Sequence, residues 1–488
     1  MAYDLLTGAT GLLGNYMLRD LLLAGRRVAI VARPSRMETT RQRVESILAS
    51  WEADLRRVLP RPPVLEGDIC QPGLGLDAAA TRWVADNCDS VIHNAASLSF
   101  EVNEQTGEPR RSNVEGTRNV VELCRSTGIR QFHHVSTAYV CGLRTGVIRE
   151  DELDVGQQLG NAYEESKVEA EKFVRSAEFL DKLTVYRPAI IIGDSVTGYS
   201  TTFHGFYTPL KILSALADHI DTSQVNAWMP ILAILNLTGQ ERKNYVPVDW
   251  VSKVISYIVG QPGSHGRTYH LTPQRGVTVN VTCGAIEQAL REQIQRAGAD
   301  AKYTPAFEEL VTTLIEQMET YRAYWRDDPE FDASHRREAA PHLDCPDIDL
   351  DMLLRTARYA LNTNFGWPRS PSVRPEFDVH KHLSGQLPVG FQTSHERGQT
   401  QLIGVQVNGP GGGQWTLVVD GGQPVAAQFG LADDRHALMS MNSKTFQRFV
   451  RGELSVEQAH EHGQLTLEGS QLSSKGGMLN MLQAVACV

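Results

Sequence analysis

The chain has no Cys-x-x-Cys pair, no Cys/His spacing suited to a metal, no excess of basic charge and no long unbroken apolar run. Its seven cysteines, Cys70, Cys88, Cys124, Cys141, Cys283, Cys345 and Cys487, are scattered and odd in number. That usage argues against a metal site and a fully paired disulfide scaffold, and fits reduced, packed thiols in a cytoplasmic protein. A formal net charge of -10 argues against a nucleic-acid partner, which normally meets a basic face. It does not exclude an anionic coenzyme, because the local pocket decides that binding. The most apolar later stretch, residues 227–237, contains Pro230 and is shorter than the roughly 20 residues of a spanning helix, so no transmembrane segment is expected. A strand-like run at residues 3–6 begins almost at Met1 and leaves no room for a secretory leader.

A chain of 488 residues is too long for one ordinary core and predicts two or three domains. Up to about residue 135, short β-branched runs (28–31, 90–93, 132–135) alternate with amphipathic stretches (15–23, 116–124). The rhythm continues through a helix at 164–177 and a strand at 183–186, then loosens from about 195. Strand and helix in alternation imply a parallel sheet covered on both faces. Residues 285–360 read as strongly helical, with aromatics at Tyr321, Tyr324, Trp325 and Phe331. A Pro-bearing stretch at 367–372 and a polar one at 393–401 read as linker, and beyond them strands are expected at 402–407 and 415–419, joined by a loop at 409–413.

The string Thr7-Gly8-Ala9-Thr10-Gly11-Leu12-Leu13-Gly14 follows the first strand and opens a helix. Glycines at these intervals permit a tight turn, close approach of backbone to a pyrophosphate, and helix-on-strand packing. The helix N-terminus then offers unpaired N–H groups to the phosphates. At the end of the second strand, where an NAD site usually carries Asp or Glu, stands Arg33, with Arg36, Arg41 and Arg43 close behind. A guanidinium can grip a 2′-phosphate through paired bonds, so NADPH is the expected coenzyme. Asp68 and Ile69 suit the adenine edge, and the small residues of Asn94-Ala95-Ala96 let a coenzyme lie close. Tyr163 and Lys167 are four apart and share a helix face, so the ammonium is expected to lower the phenol's pKa. The Tyr then exchanges a proton with substrate, Lys167 also holds the coenzyme ribose, and Thr137, ahead of Ser136, bonds the substrate oxygen.

Residues 1–275 resemble the extended short-chain dehydrogenase/reductases in the Gly8/Gly11/Gly14 turn, the string Asn113-Val114-Glu115-Gly116-Thr117, Thr137, and the Tyr163/Lys167 pair. Three strings resemble the fatty acyl-CoA and thioester reductases within that superfamily: His93-Asn94-Ala95-Ala96-Ser97, Ser136-Thr137-Ala138-Tyr139-Val140, and Arg187-Pro188 followed by Gly193-Asp194-Ser195-Val196-Thr197-Gly198. The resemblance implies a Rossmann-type, doubly wound parallel α/β sheet, with Asn113 and Pro188 at the coenzyme and a variable, partly helical substrate lobe from about 195. Residues 276–375 extend that lobe and lead into a linker. Residues 385–488 form a smaller α+β domain that resembles, more faintly, the sterol-carrier lipid-binding domains, on the strings around Trp415, Phe446 and Leu465.

These resemblances imply NADPH-dependent reduction of a lipid acyl thioester, CoA- or carrier-bound, to aldehyde or alcohol, with an acyl carrier protein as a partner. A hydroxysteroid or other lipid-alcohol dehydrogenase is the alternative. A nucleotide-sugar epimerase or a non-enzymatic lipid carrier fits less well. The C-terminal domain is expected to hold the apolar part of the substrate and deliver it to the reductase lobe.

Overall fold

Every side chain of the strands Tyr3–Thr7 (β1) and Val28–Ala32 (β2) is buried, as expected of strands covered on both faces. The structure is a computed structural model that describes residues 2–35, 38–215, 232, 236–297, 319–367, 377, 379–387, 400–409, 411–420, 423–432 and 434–469. With β3 (Val64–Glu66), β4 (Cys88–His93), β5 (Gln131–Val135), β6 (Lys182–Pro188) and β7 (Thr268–Leu271), these strands form a seven-stranded sheet in the order β7-β6-β5-β4-β1-β2-β3. All its pairs are parallel. Helices α1 (Leu12–Leu23), α2 (Thr40–Leu55), α3 (Ala78–Asn87), α4 (Gly116–Thr127), α5 (Ala162–Arg175) and α6 (Val248–Val259) flank it. The strand order reverses between β4 and β1, where Thr7 pairs with His93. Such a switch point opens a crevice at the carboxyl ends of the strands.

The lobe beyond that crevice has its own core. Helix Tyr207–Ala215, α7 (Val279–Ala297) and α8 (Leu350–Asn362) pack through Leu210, Ile286, Leu353 and Ala357. Among the described residues of the stretch read as strongly helical, helices cover Val279–Ala297, Glu319–Tyr324, Ser334–Ala339 and Leu350–Asn362. Between α7 and α8 the described residues include a short strand, Glu330–Phe331, which pairs with Val147–Ile148. Of the aromatics of that segment, Tyr324, at the end of a short 3-10 helix (Glu319–Tyr324), and Trp325 line a cavity. The apolar stretch 227–237 lies mostly outside the described residues, as do Arg36, the linker residues 368–376 and 388–399, and Cys487.

The C-terminal residues form a separate five-stranded mixed sheet from β8 (Thr400–Asn408), β9 (Gly413–Asp420), β10 (Gln423–Phe429), β11 (Ala437–Asn442) and β12 (Leu465–Glu468), in the order β10-β9-β8-β11-β12. Helices α9 (Ser443–Val450) and α10 (Val456–Glu461) complete a core of Val405, Trp415, Leu417, Met441, Phe446 and Phe449. Gly409, at φ +93, supports the turn expected between β8 and β9.

Among the described residues, this sheet meets the main body away from Tyr163. Tyr3 and Trp83 both donate to Glu468 on β12, at 2.9 and 2.7 Å, and Arg41 donates to Gln406 on β8 at 2.9 Å. These contacts seat it against the start of β1 and the helices α2 and α3, and a cleft lined by β3 lies along the seam. Four strand spacings of about 4.8 Å, on the order of 20 Å in all, separate β3 from β5, the strand that leads into Thr137. Among the described residues, the arrangement expected for delivery of a substrate to Tyr163 is therefore replaced by docking on the opposite edge.

Candidate active site

The turn after β1 leaves no room for side chains. A Cβ on Gly14 would lie 2.0 Å from the Gly8 carbonyl oxygen, and one on Gly8, at φ +73, would lie 2.6 Å from the Ala95 backbone nitrogen. Gly11 caps α1 in an extended conformation and makes no side-chain capping bond. The first amides of the helix are therefore left for another acceptor. A cradle of close backbone with free amides at a helix N-terminus fits the pyrophosphate of a dinucleotide.

From this turn a cavity of about 650 Å³ runs in both directions. At one end it is lined by Thr10, Arg33, Arg43, Asp68 and Ile69. Arg43 donates to the Arg33 carbonyl at 2.6 Å and to the Thr10 hydroxyl at 2.8 Å, so α2 is tied to both the Gly-rich turn and the end of β2. The Arg33 side chain is 69% exposed and stands 3.8 Å from the Asp68 carboxylate. Arg41 departs from the expected basic cluster. It faces the C-terminal sheet, and burial lowers its pKa to about 10.

Past Gly8, Gly11, Leu12 and Leu13 the wall is Asn94, Ala95 and Ala96, then Thr137, Tyr163, Lys167 and Pro188. Tyr163 and Lys167 occupy the first and second turns of α5, whose N-cap is Asn161. The Thr137 hydroxyl is hydrogen-bonded to the Tyr163 phenol. Lys167 Nζ donates to the Val135 carbonyl at 2.7 Å. Ser136, the alternative to Thr137, lies beside the buried Glu171 carboxylate. The expected electrostatics are corrected here. Burial pushes the Tyr163 phenol up to about 12, with the Thr137 bond opposing. Burial also pulls Lys167 down to about 8. Desolvation outweighs the neighbouring charge, and the phenol is a protonated acid in this state.

Two expected coenzyme residues do not reach the cavity wall. Gly14 is packed beneath Gly8, the helix-on-strand role its spacing implied. Asn113 is buried; its amide donates to the Ser97 carbonyl at 3.0 Å and to Ser166 Oγ at 2.9 Å, and accepts from the Ser97 amide at 2.7 Å. It ties the loop after β4 to α5. Its amide is satisfied by protein, so its place is structural.

Beyond Tyr163 the cavity continues to His204, Phe206, Lys243, Tyr245, Tyr324 and Trp325. Phe100 packs edge-on against the rings of both Tyr163 and Tyr324, with centroids 5.6 Å apart in each pair. Lys243 binds the Tyr324 and Arg326 carbonyls and Asp328. Asp328 also accepts from the Tyr139 hydroxyl at 2.7 Å. This buried set anchors the segment that carries Tyr324 and Trp325. Sequence reasoning listed those aromatics without placing them, and missed Phe100 and Lys243, because their partners are remote in the chain.

The described residues contain no group of three or more His, Cys, Asp or Glu arranged for a metal, and no helix long and apolar enough to cross a membrane. A family model described as male sterility protein matches residues 6–255. A nonribosomal peptide synthetase of Aspergillus flavus is 27% identical over 282 residues, covering 55% of this chain and 26% of that protein. The L-2-aminoadipate reductase large subunit of Penicillium chrysogenum is 27% identical over 309 residues, covering 58% of this chain and 20% of that one. The chain thus spans about a quarter or less of the length of these relatives. Among solved structures, the terminal R domain from the myxalamid biosynthetic pathway aligns with a TM-score of 0.59 at 25% identity, over 75% of this chain and 92% of that one. A thiolation-reductase di-domain from an archaeal synthetase shares the fold, with a TM-score of 0.55 at 18% identity over 75% of this chain and 76% of that one.

Proposed function

Because the chain belongs to the NAD-binding male sterility family of extended short-chain reductases, we propose that it reduces an acyl thioester with NADPH. The observation that carries this reading is one cavity in which a dinucleotide cradle, the Thr137/Tyr163/Lys167 group and an aromatic-walled extension are continuous. NADPH, when bound, supplies hydride to the thioester carbonyl carbon. Thr137 and Tyr163 bracket the carbonyl oxygen and stabilise its developing charge. The Tyr163 phenol gives up its proton to that oxygen, and loss of the thiol from the tetrahedral product leaves an aldehyde. A second passage converts aldehyde to alcohol. Lys167 is anchored to Val135 by one of its three N–H donors. The other two remain for the ribose and for the charge left on Tyr163.

The aromatic extension around Phe206, Tyr245 and Trp325 supports an apolar acyl group. A carrier-bound thioester is favoured over a free one, since two of the similar solved structures are reductase domains of synthetase pathways and one of them sits beside a thiolation domain. We assign the reductase to residues 1–275, with 276–375 as an extension of its substrate lobe. The second unit begins before the expected residue 385, since Val379 and Leu383 of the helix Val379–Gln386 pack into its core; acyl or sterol binding is its proposed role. The test is NADPH consumption against acyl-CoAs, carrier-bound acyl groups and ketosteroids, with products identified. Aldehyde released from thioesters supports the proposal, whereas turnover confined to ketosteroids replaces it with an alcohol dehydrogenase.

Coenzyme choice falls to Arg33 and Arg43 in this reading. Losing one charged hydrogen-bonded contact costs about 1.5–3 kcal/mol. Arg33→Ala is therefore expected to raise the KM for NADPH about 10- to 100-fold, at about 1.4 kcal/mol per tenfold, and to leave that for NADH nearly unchanged. Equal effects on the two coenzymes would remove Arg33 from the phosphate site.

A further inference from the structure

Helix α2 presents different residues to two neighbours. Thr40 and Arg43, three apart, face inward. Thr40 donates to Glu66 at 3.0 Å, and Arg43 reaches Thr10 and the Arg33 carbonyl. Arg41 and Glu45, four apart, face the C-terminal sheet. The Arg41 guanidinium donates to Gln406, which is 4% exposed, and to the side-chain amide oxygen of Gln414. Glu45 is buried against Gly409, the residue that follows β8. Its carboxylate is held from the helix side by the fully buried Arg61, at 3.0 Å. Neither Arg41 nor Gln406 lines the coenzyme cavity; both line a separate cleft at the seam between the two sheets.

We propose that the C-terminal sheet is a positioning element for the coenzyme: by seating α2 through Arg41 and Gln406, it holds Arg43 in place at the 2′-phosphate end. This rests on the coenzyme reading given above. The outward face of the helix that carries Arg43 is held by Gln406 and Gly409 of the β8 end and by Gln414 of β9. The influence of the C-terminal sheet on catalysis then passes through NADPH affinity, which agrees with its place away from Tyr163.

The test uses the full chain and NADPH binding followed by coenzyme fluorescence. Arg41→Met and Gln406→Met are each expected to raise the NADPH Kd about three- to tenfold, the scale of couplings between contacting residues. The double variant is expected to be no weaker than the worse single one. NADH binding and kcat at saturating coenzyme are expected to hold. Gln406→Glu, which keeps an acceptor against the guanidinium, is expected to retain wild-type affinity. Trp83→Phe removes the bond to Glu468 on the same sheet, but from α3, and is expected to leave the Kd unchanged. Kd values within about twofold of wild type for both Met variants, or an equal loss in Trp83→Phe, would overturn the proposal and leave the seam a structural contact. The scale is that of the same coupling range. Arg43→Ala separates the two readings. If it too leaves NADPH binding intact, the coenzyme site itself is misassigned; if it weakens binding while Arg41 and Gln406 do not matter, only the positioning role fails.

Discussion

Replacing Tyr163 by phenylalanine is expected to lower kcat by about 10²- to 10⁴-fold, the usual range for a positioned proton donor. NADPH binding and the unfolding midpoint are expected to stay near wild type, because the ring's contact with Phe100 survives and only the hydroxyl is lost. The phenol, raised to about 12 by burial, is protonated throughout the working pH range, as an acid for reduction must be. Lys167 is different, with burial lowering it to about 8. Below that value it is an ammonium that stabilises the phenolate left after proton transfer; above it the charge is lost. The reduction rate is therefore expected to fall as pH rises through about 8, measured as kcat at saturating NADPH. A rate that is flat across that region would remove Lys167's charge from the mechanism, and near-normal turnover by Tyr163→Phe would require another proton donor.

The largest expected loss of stability comes from Arg187→Met. Arg187 and Glu171 are both fully buried, joined by bonds of 2.6 and 3.1 Å, and Arg187 also donates to the Glu152 carbonyl at 2.7 Å. The pair fastens α5 to β6 one turn beyond Lys167 and immediately before Pro188. Removing the arginine leaves a buried carboxylate with Arg175, at 2.7 Å on its exposed side, and the neighbouring Ser136. Breaking a buried pair in this way costs about 3–5 kcal/mol, whereas replacing both partners by apolar residues of similar volume is often nearly neutral. The double variant Arg187→Met, Glu171→Met is therefore expected to regain much of the lost stability in urea unfolding. A cost of less than about 1 kcal/mol for the single variant, the size of a surface ion pair, would show that the network does not hold the catalytic helix.

What was legible in the sequence was local. The strand, glycine turn and helix at residues 3–23 are adjacent in the chain, and the four-residue spacing of Tyr163 and Lys167 decides which side chains share a face before any tertiary structure exists. The C-terminal unit was legible in part, through its β8, β9 and β12 runs, the glycine turn between the first two, and the helix around Phe446. What was not legible depended on partners far away. Arg41 reads as one more basic residue of a phosphate loop, yet its acceptor is Gln406, 365 residues later. Lys243 meets Asp328 across 85 residues, and nothing near it signals a role. Asn113 reads as a coenzyme residue, yet its amide meets Ser97 and Ser166, 16 and 53 residues away. The phenol's pKa was misjudged for the same reason, since a charge four residues away is visible in the sequence and burial is not.

The central claim is that a hydride passes from the coenzyme to the carbonyl carbon of an acyl thioester within the cavity of Thr137 and Tyr163. Turnover of an acyl thioester with NADPH deuterated at the transferable position of C4, followed by mass spectrometry of the product, tests it most directly. The account predicts an aldehyde, or the alcohol derived from it, carrying deuterium at the former carbonyl carbon in proportion to the NADPH consumed. A product without the label, or a coenzyme that keeps its deuterium while the substrate is altered, would contradict it.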